Sequence, residues 1–279
     1  MGMVRLSQLR QNLLASLAGL AVIALAGCQT PVGERLVWSD EFNGPSNSAP
    51  NAKYWGYETG GGGWGNQELE CYTDAQGNVA LDGAGNLVIT ARKQPGHICS
   101  DGKTNDYTSA RILSHHKFAA LYGHIEMRAK LPNTSGTWPA FWALGENIDK
   151  VGWPRAGEID IVEAVGSKPS SILGTIHGPK TDGTPFQLSV SKKTGLRLNE
   201  KFHVYGVDWT PSCLTFTIDG KAYGSVTRTQ VSQAGGKWVW DKSFYLLLDL
   251  AVGGNFPGSP EPDAPWPQAY TIDWIRVYS

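Results

Sequence analysis

Along this chain the apolar residues alternate with polar ones or run together in short unbroken stretches, and no amphipathic helix of ordinary length emerges. Leu87-Val88-Ile89-Thr90, Tyr122–Leu131, Phe202–Trp209 and Phe244–Val252 are β-rich runs broken by Gly, Pro, Asn or Asp. Leu214–Ile218 and Lys221–Val226 flank Asp219-Gly220, a pair that favours the positive-φ turn of a tight hairpin. Thr227–Ala234 has room for one or two helical turns. No internal repeat is present. The pattern predicts an all-β fold: a two-sheet antiparallel sandwich of jelly-roll type.

The start of the chain breaks this pattern. Arg5 and Arg10 precede an apolar run from Leu13 to Ala26, too short for a comfortable membrane span and shaped like an export leader. The run closes on Leu25-Ala26-Gly27-Cys28, which resembles the bacterial lipoprotein cleavage box. That resemblance implies a signal peptide over 1–27 and lipid attachment at Cys28. A short linker over 28–33 and one folded domain over 34–279 would follow. The protein is therefore expected outside the cytoplasm, anchored to a bacterial membrane, with plain secretion as the alternative. In an oxidising compartment Cys71 and Cys99 are expected to pair, and Cys213 to stay a buried free thiol.

Composition narrows the partners. A formal net charge of −1 over 279 residues gives no electrostatic case for nucleic acid or an anionic surface. Eleven Trp and 34 Gly are the informative excess, because wide indole faces serve cores and sugar stacking alike. No Cys/His spacing of a metal site or nucleophile pair is apparent.

The densest chemistry lies in Gly157-Glu158-Ile159-Asp160-Ile161-Val162-Glu163-Ala164-Val165-Gly166. In a strand, Glu158 and Asp160 share one face and Glu163 points to the other. One extra residue, a β-bulge near Ile161-Val162, would return Glu163 to the acidic face. Three carboxylates so close cannot all ionise cheaply, so at least one keeps its proton. A protonated carboxyl beside an ionised one is equipment for glycoside hydrolysis. Ligation of a cation by oxygen is the competing reading.

At these residues the chain resembles family 16 of the glycoside hydrolases, whose mark is Glu-x-Asp-x-Glu or, as here, the bulged Glu-x-Asp-x-x-Glu of its laminarinase branch. Further matches are Trp38–Gly44, Gly63–Glu70, Tyr107–Ile112, Tyr122–Lys130, Phe244–Gly258 and Tyr270–Tyr278, together spanning nearly all of 36–278. The resemblance implies a concanavalin-like sandwich with a concave sugar cleft. It casts Glu158 as nucleophile, Glu163 as general acid/base and Asp160 as the group that tunes them. It also implies a structural Ca²⁺, held by Glu41, a carbonyl near Gly83 and Asp273, and no cofactor for catalysis. Where the family usually has Gln-Tyr and Asn, this chain has Glu70-Cys71 and Asp249.

Around the acids, Trp138 and Trp142 share strand parity about 13 Å apart and are expected to be sugar platforms. Trp64, in a Gly-rich loop, is a similar candidate, and Trp153 a weaker one. If Val165 pairs with Ile172, His177 falls opposite Asp160 within a residue or two, close enough to adjust its protonation. Asn66, Arg111 and Asn255 are candidate ligands for sugar hydroxyls, Arg111 equally a structural ion-pair partner. The expected activity is retaining endo-hydrolysis of β-1,3-glucan or mixed β-1,3/1,4-glucan by a monomer. The alternatives are a non-catalytic glucan-binding protein of the same fold and a hydrolase or transglycosylase acting on agar or carrageenan.

Overall fold

Each β-rich run becomes a strand in a computed structural model, which describes Cys28 and residues 35–279. The expected leader over 1–27 lies outside the described residues, as does the linker apart from Cys28. Phe244–Val252 is a strand over its whole expected length, and the runs around 122–131 and 202–209 settle as Gly123–Lys130 and His203–Trp209. Asp219 and Gly220 both take positive φ, 49° and 71°, and join Cys213–Ile218 to Lys221–Thr227. The expected helical turns form over Arg228–Gln233, where Thr227 accepts from the Gln230 backbone N–H and the Gln230 side chain returns to Thr227.

The strands build two sheets of ten and eight members. The eight-stranded sheet runs Pro185–Lys193, Ser171–Pro179, Glu158–Glu163, Thr137–Gly145, Phe244–Val252, Arg111–Leu113, Gly56–Glu58, with Ala119–Ala120 also paired to Phe244–Val252. Among the described residues every pairing is antiparallel but one, Glu70–Tyr72 alongside Thr104–Ser109. Phe141, Ala143, Ile176, Leu248 and Leu250 point from this sheet into the core, where they meet Ile125, Met127, Val207, Phe216 and Ile272 of the other. The alternate residues of the same strands are thereby left on the opposite, cleft-forming face.

The acidic strand departs from this alternation once. Trp142 pairs with Asp160 and Phe141 with Val162, so Ile161 is an extra residue. Ile161 and Val162 are 0% and 1% exposed. Burying both contributes roughly 3–6 kcal/mol, against roughly 0.5–1.5 kcal/mol for one ladder hydrogen bond left unmade. The bulge is therefore held by the core. Leu173 pairs with Glu163 and Thr175 with Asp160, which sets Gly174 opposite the bulge.

Two expectations fail in this scaffold. Cys71–Cys99 is a disulfide as expected, but Cys213 is not free, because it is bonded to Cys28. A sulfur committed to a disulfide cannot carry a thioether-linked lipid, so this bond and the lipid expected at Cys28 are alternatives for the same atom. The calcium set also fails. Glu41 receives Arg276 through two contacts of 3.0 and 2.9 Å, and Asp273 is ion-paired with Arg128. A dication needs oxygen charge that is still uncompensated; here both carboxylates are already neutralised. Gly83 is a turn residue at φ +79° packed on Ser46. These residues do not fit a Ca²⁺ site.

A Cβ at Gly174 would stand 2.3 Å from Phe216 Cδ1. Gly174→Ala should therefore cost roughly 1–3 kcal/mol in urea unfolding; an unchanged midpoint would show that the sheet yields at the bulge. Peptide mapping of the purified protein without reductant should recover Cys28 joined to Cys213. A lipid-modified Cys28 beside a free Cys213 would restore the anchor.

Candidate active site

The free face of the eight-stranded sheet forms a cleft of about 610 Å³. Its floor is built by same-parity residues: Trp138, Ala140, Trp142 and Leu144 on one strand, Leu173, Thr175 and His177 on another, Asp249 and Ala251 on a third. Glu158, Asp160 and Glu163 all open into it, the last through the bulge. Phe256 and the Trp64–Asn66 loop close one side, and Trp153 and Ile148 line it elsewhere.

Each catalytic candidate is held by specific partners. Trp153 Nε1 donates to Glu158 Oε2 at 2.8 Å. Trp138 Nε1 donates to Glu163 Oε1 at 3.0 Å. His177 pairs across the ladder with Glu158, within the expected two residues of Asp160, and the bulge accounts for one residue of that offset. Its Nε2 nevertheless lies 3.1 Å from Asp160 Oδ2 and 3.7 Å from Glu158 Oε1. Burial pushes the Asp160 carboxyl well up, and the charge and hydrogen bond of Glu158 add to this. Burial also pushes Glu163 well up, reinforced by Asp160 and opposed by His177. Glu163 is thus equipped to hold a proton and deliver it. Glu158, Asp160 and His177 converge closely enough to ligate a cation; the Trp153 indole N–H occupies Glu158 Oε2 and leaves Oε1 facing His177.

A second acidic group lies beside the first. Asp249 Oδ1 accepts from Trp142 Nε1 at 2.6 Å, and the Tyr72 hydroxyl lies 3.3 Å from Asp249 Oδ2 and 3.1 Å from Glu68 Oε2. Glu70, fully buried, accepts from the Val252 backbone N–H at 2.6 Å. Burial raises Glu68, Glu70 and Asp249, the last to about 7 even though Arg111 pulls it down. The Arg111 guanidinium lies 4.6 Å from the Trp142 ring centre and 5.1 Å from that of Trp64. It is also ion-paired with Glu58 at 2.7 Å. Arg111 thus has the ion-pair partner expected of it while also lining the cleft.

The other expected ligands divide. Asn66 lines the cleft and donates to Glu68 Oε1 at 3.0 Å. Asn255 is exposed and joins the same loop only through its backbone N–H, at 2.7 Å from the Asn66 carbonyl. Its neighbour Phe256 lines the cleft instead, set edge-on to Trp138 with ring centres 5.1 Å apart. Sequence reading also missed Glu68, Tyr72 and Thr175. Thr175 carried a signal, since it shares strand parity with His177.

The retained proton on Asp249 has a measurable consequence. With its folded value near 7 and its ordinary value near 3.8, folding takes up a proton between those limits, so stability falls as pH rises through that window. Asp249→Asn keeps an acceptor for Trp142 and removes the titration. Its stability gain over the parent should grow between pH 4 and 7 to at least about 1 kcal/mol and level off above. A pH-independent difference in unfolding free energy would show that Asp249 ionises normally.

Comparison with known proteins agrees with this geometry. The family described as glycosyl hydrolases family 16 matches residues 66–276. A beta-glucanase of Rhodothermus marinus is 37% identical over 253 residues, covering 87% of this chain and 84% of its own. A glucan endo-1,3-beta-glucosidase of Cryptopygus antarcticus is 36% identical over 258 residues, covering 88% and 92%. The laminarinase catalytic domain of Thermotoga maritima superposes with a TM-score of 0.79 at 41% identity, covering 88% of this chain and 98% of that one. With its bulged acidic strand at the floor of an indole-walled cleft, this chain belongs to family 16 of the glycosyl hydrolases.

Proposed function

We propose that the protein is a retaining endo-β-1,3-glucanase, acting on laminarin-type or mixed-linkage glucan outside the cytoplasm. The observation that carries this reading is the bulge, which turns Glu158, Asp160 and Glu163 onto one face of a cleft bordered by Trp64, Trp138, Trp142 and Trp153. Glu158 attacks the anomeric carbon while Glu163 gives its proton to the departing glycosidic oxygen. Water then attacks the glycosyl ester, Glu163 takes back a proton, and the Glu158 carboxylate is released. Asp160, kept protonated by burial, can donate toward Glu158 and spare it a like charge at close range. The carboxylates supply this chemistry without a cofactor. Trp64 and Trp142, each with Arg111 over one face, leave the other for a sugar ring.

Names of the relatives support the substrate: a beta-glucanase and a glucan endo-1,3-beta-glucosidase. Two disulfides and the apolar leader support an oxidising compartment. The bond between Cys28 and Cys213 favours secretion over lipid anchoring.

The two catalytic roles separate by rescue. Glu163→Ala should lower kcat on laminarin on the order of 10³-fold or more and flatten the alkaline limb of the pH profile. An aryl glycoside with a good leaving group should still form the glycosyl-enzyme, and azide should then speed turnover with retention. Glu158→Ala should yield only inverted glycosyl azide. Retention requires the two carboxyls to lie about 5–5.5 Å apart, so NMR of parent enzyme should show the β-anomer first. An initial α-anomer, or rescue with the products exchanged, would overturn the assignment.

A further inference from the structure

A second cluster of ligand-type side chains sits where the strand Arg111–Leu113 ends. Ser114 is fully buried; it bonds the Leu246 backbone on both sides and donates its hydroxyl to the Phe118 carbonyl at 2.7 Å. This fixes the turn that presents His115 and His116. The His115 ring stacks on Tyr245 at 4.2 Å and on His116 at 3.8 Å. His116 adopts φ 60°, a left-handed conformation unusual for a residue with a side chain. Neighbouring residues on a regular strand would point to opposite faces. The left-handed turn brings both imidazoles to one place.

Opposite them stands the segment that follows Thr137–Gly145. Glu146 Oε1 accepts from the His116 backbone N–H at 3.1 Å and lies 3.3 Å from His116 Nδ1. Asp149 Oδ2 lies 3.2 Å from His116 Nε2 and 3.8 Å from His115 Nε2. His115, His116 and Glu146 each bring one donor atom within 4.8 Å of the other two. A tetrahedral ion with bonds of about 2.0–2.1 Å sets its ligand atoms about 3.3–3.4 Å apart; the 3.3 Å between Glu146 Oε1 and His116 Nδ1 already matches, and a separation at the 4.8 Å limit would need roughly 1.5 Å of closure.

Charge pairing accounts for His116, which lies between Glu146 and Asp149, but leaves His115 Nε2 at 3.8 Å from Asp149. His115 Nε2 and Glu146 Oε2 are both buried without a hydrogen-bond partner, a state that costs roughly 1–3 kcal/mol per group. Two stacked imidazoles repel if both are protonated. The adjacent Lys117 does not supply the missing partner, since its ammonium is bound to the Ala52 carbonyl at 2.7 Å. Two imidazoles with carboxylate oxygen suit a borderline transition metal better than Ca²⁺ or Mg²⁺.

We infer that His115, His116 and Glu146 form a binding site for a divalent transition-metal ion of the Zn²⁺ class, with Asp149 holding the other nitrogen of His116. The ion would tie the turn at 114–116 to the segment at 146–149. Ile148 of that segment lines the cleft, and Trp153, shortly beyond it, donates to Glu158. The site is thus a clamp on one wall of the active cleft, distinct from its chemistry.

Zn²⁺ binding to the full chain, followed by competition with a chromophoric chelator, tests this. One equivalent should bind, and Co²⁺ in its place should show the visible bands of a low-symmetry, four-coordinate ion. His116→Gly, which removes a ligand and relieves the left-handed strain, and Glu146→Gln should each weaken binding about tenfold or more and leave the unfolding temperature of metal-free protein near that of the parent. Glu158→Gln should bind as tightly as the parent. Absence of binding, undiminished affinity in both His116→Gly and Glu146→Gln, or loss of binding in Glu158→Gln alone would overturn the inference, the last by moving the ion to Glu158, Asp160 and His177.

Discussion

The site depends on one residue too many in one strand. Without Ile161 as an extra residue, Glu163 would point into the core and Val162 into the cleft, and neither position would be tolerable. An ionised carboxylate buried without a partner costs several kcal/mol, and an apolar side chain turned out forfeits roughly 2 kcal/mol. The bulge removes both penalties at the expense of an interrupted ladder. The core thus enforces the catalytic geometry: two apolar residues buried side by side oblige the next acid to turn outward. Gly174 completes the arrangement, because only a residue without Cβ leaves room for Phe216 behind the distortion.

Burial, more than pairing, sets the protonation of the cleft. Desolvation is the largest influence on Asp160, Glu163, Glu68, Glu70 and Asp249 alike, and all five are raised by it. Asp249 also raises Asp160, so the two acidic groups are electrostatically one system. Trp142 stands between them, its N–H on Asp249 and Arg111 over its face. A single guanidinium facing several carboxyls cannot neutralise them all. Protons do the remainder, and a proton held on Glu163 is the one that serves the leaving group.

Much of this was legible in the chain. Period-two alternation gives the strands, Asp219-Gly220 gives a hairpin, and the parity of Glu158, Asp160 and Glu163 calls for a bulge. The illegible parts come from distant segments meeting in space. Trp153 reaches Glu158 from an irregular stretch with no periodicity. Tyr72 meets Asp249 across 177 positions of sequence. His115 and His116 were invisible as ligands because adjacent residues of a strand diverge, and only the left-handed turn at His116 reverses that. The error over Cys213 has a similar origin, since its alternating strand fixes burial but says nothing about a partner 185 residues away.

The far sheet shows how one structural demand can be met by different chemistry. The terminal strand Gln268–Tyr278 must be fixed to the opening strand Leu36–Asp40 and to Gly123–Lys130. A cation between Glu41 and Asp273 would draw two carboxylates onto one point. Here two guanidiniums do the joining instead, Arg276 to Glu41 across the first junction and Arg128 to Asp273 across the second. Arg276 also lies over the Trp274 ring at 4.2 Å, so its planar head is oriented before it meets Glu41. A forked donor held flat suits a carboxylate at fixed register, and the bond survives chelation. The same acids that mark a metal site in sequence therefore mark a salt-bridged seam in this chain, and the deciding residues are the two arginines facing them.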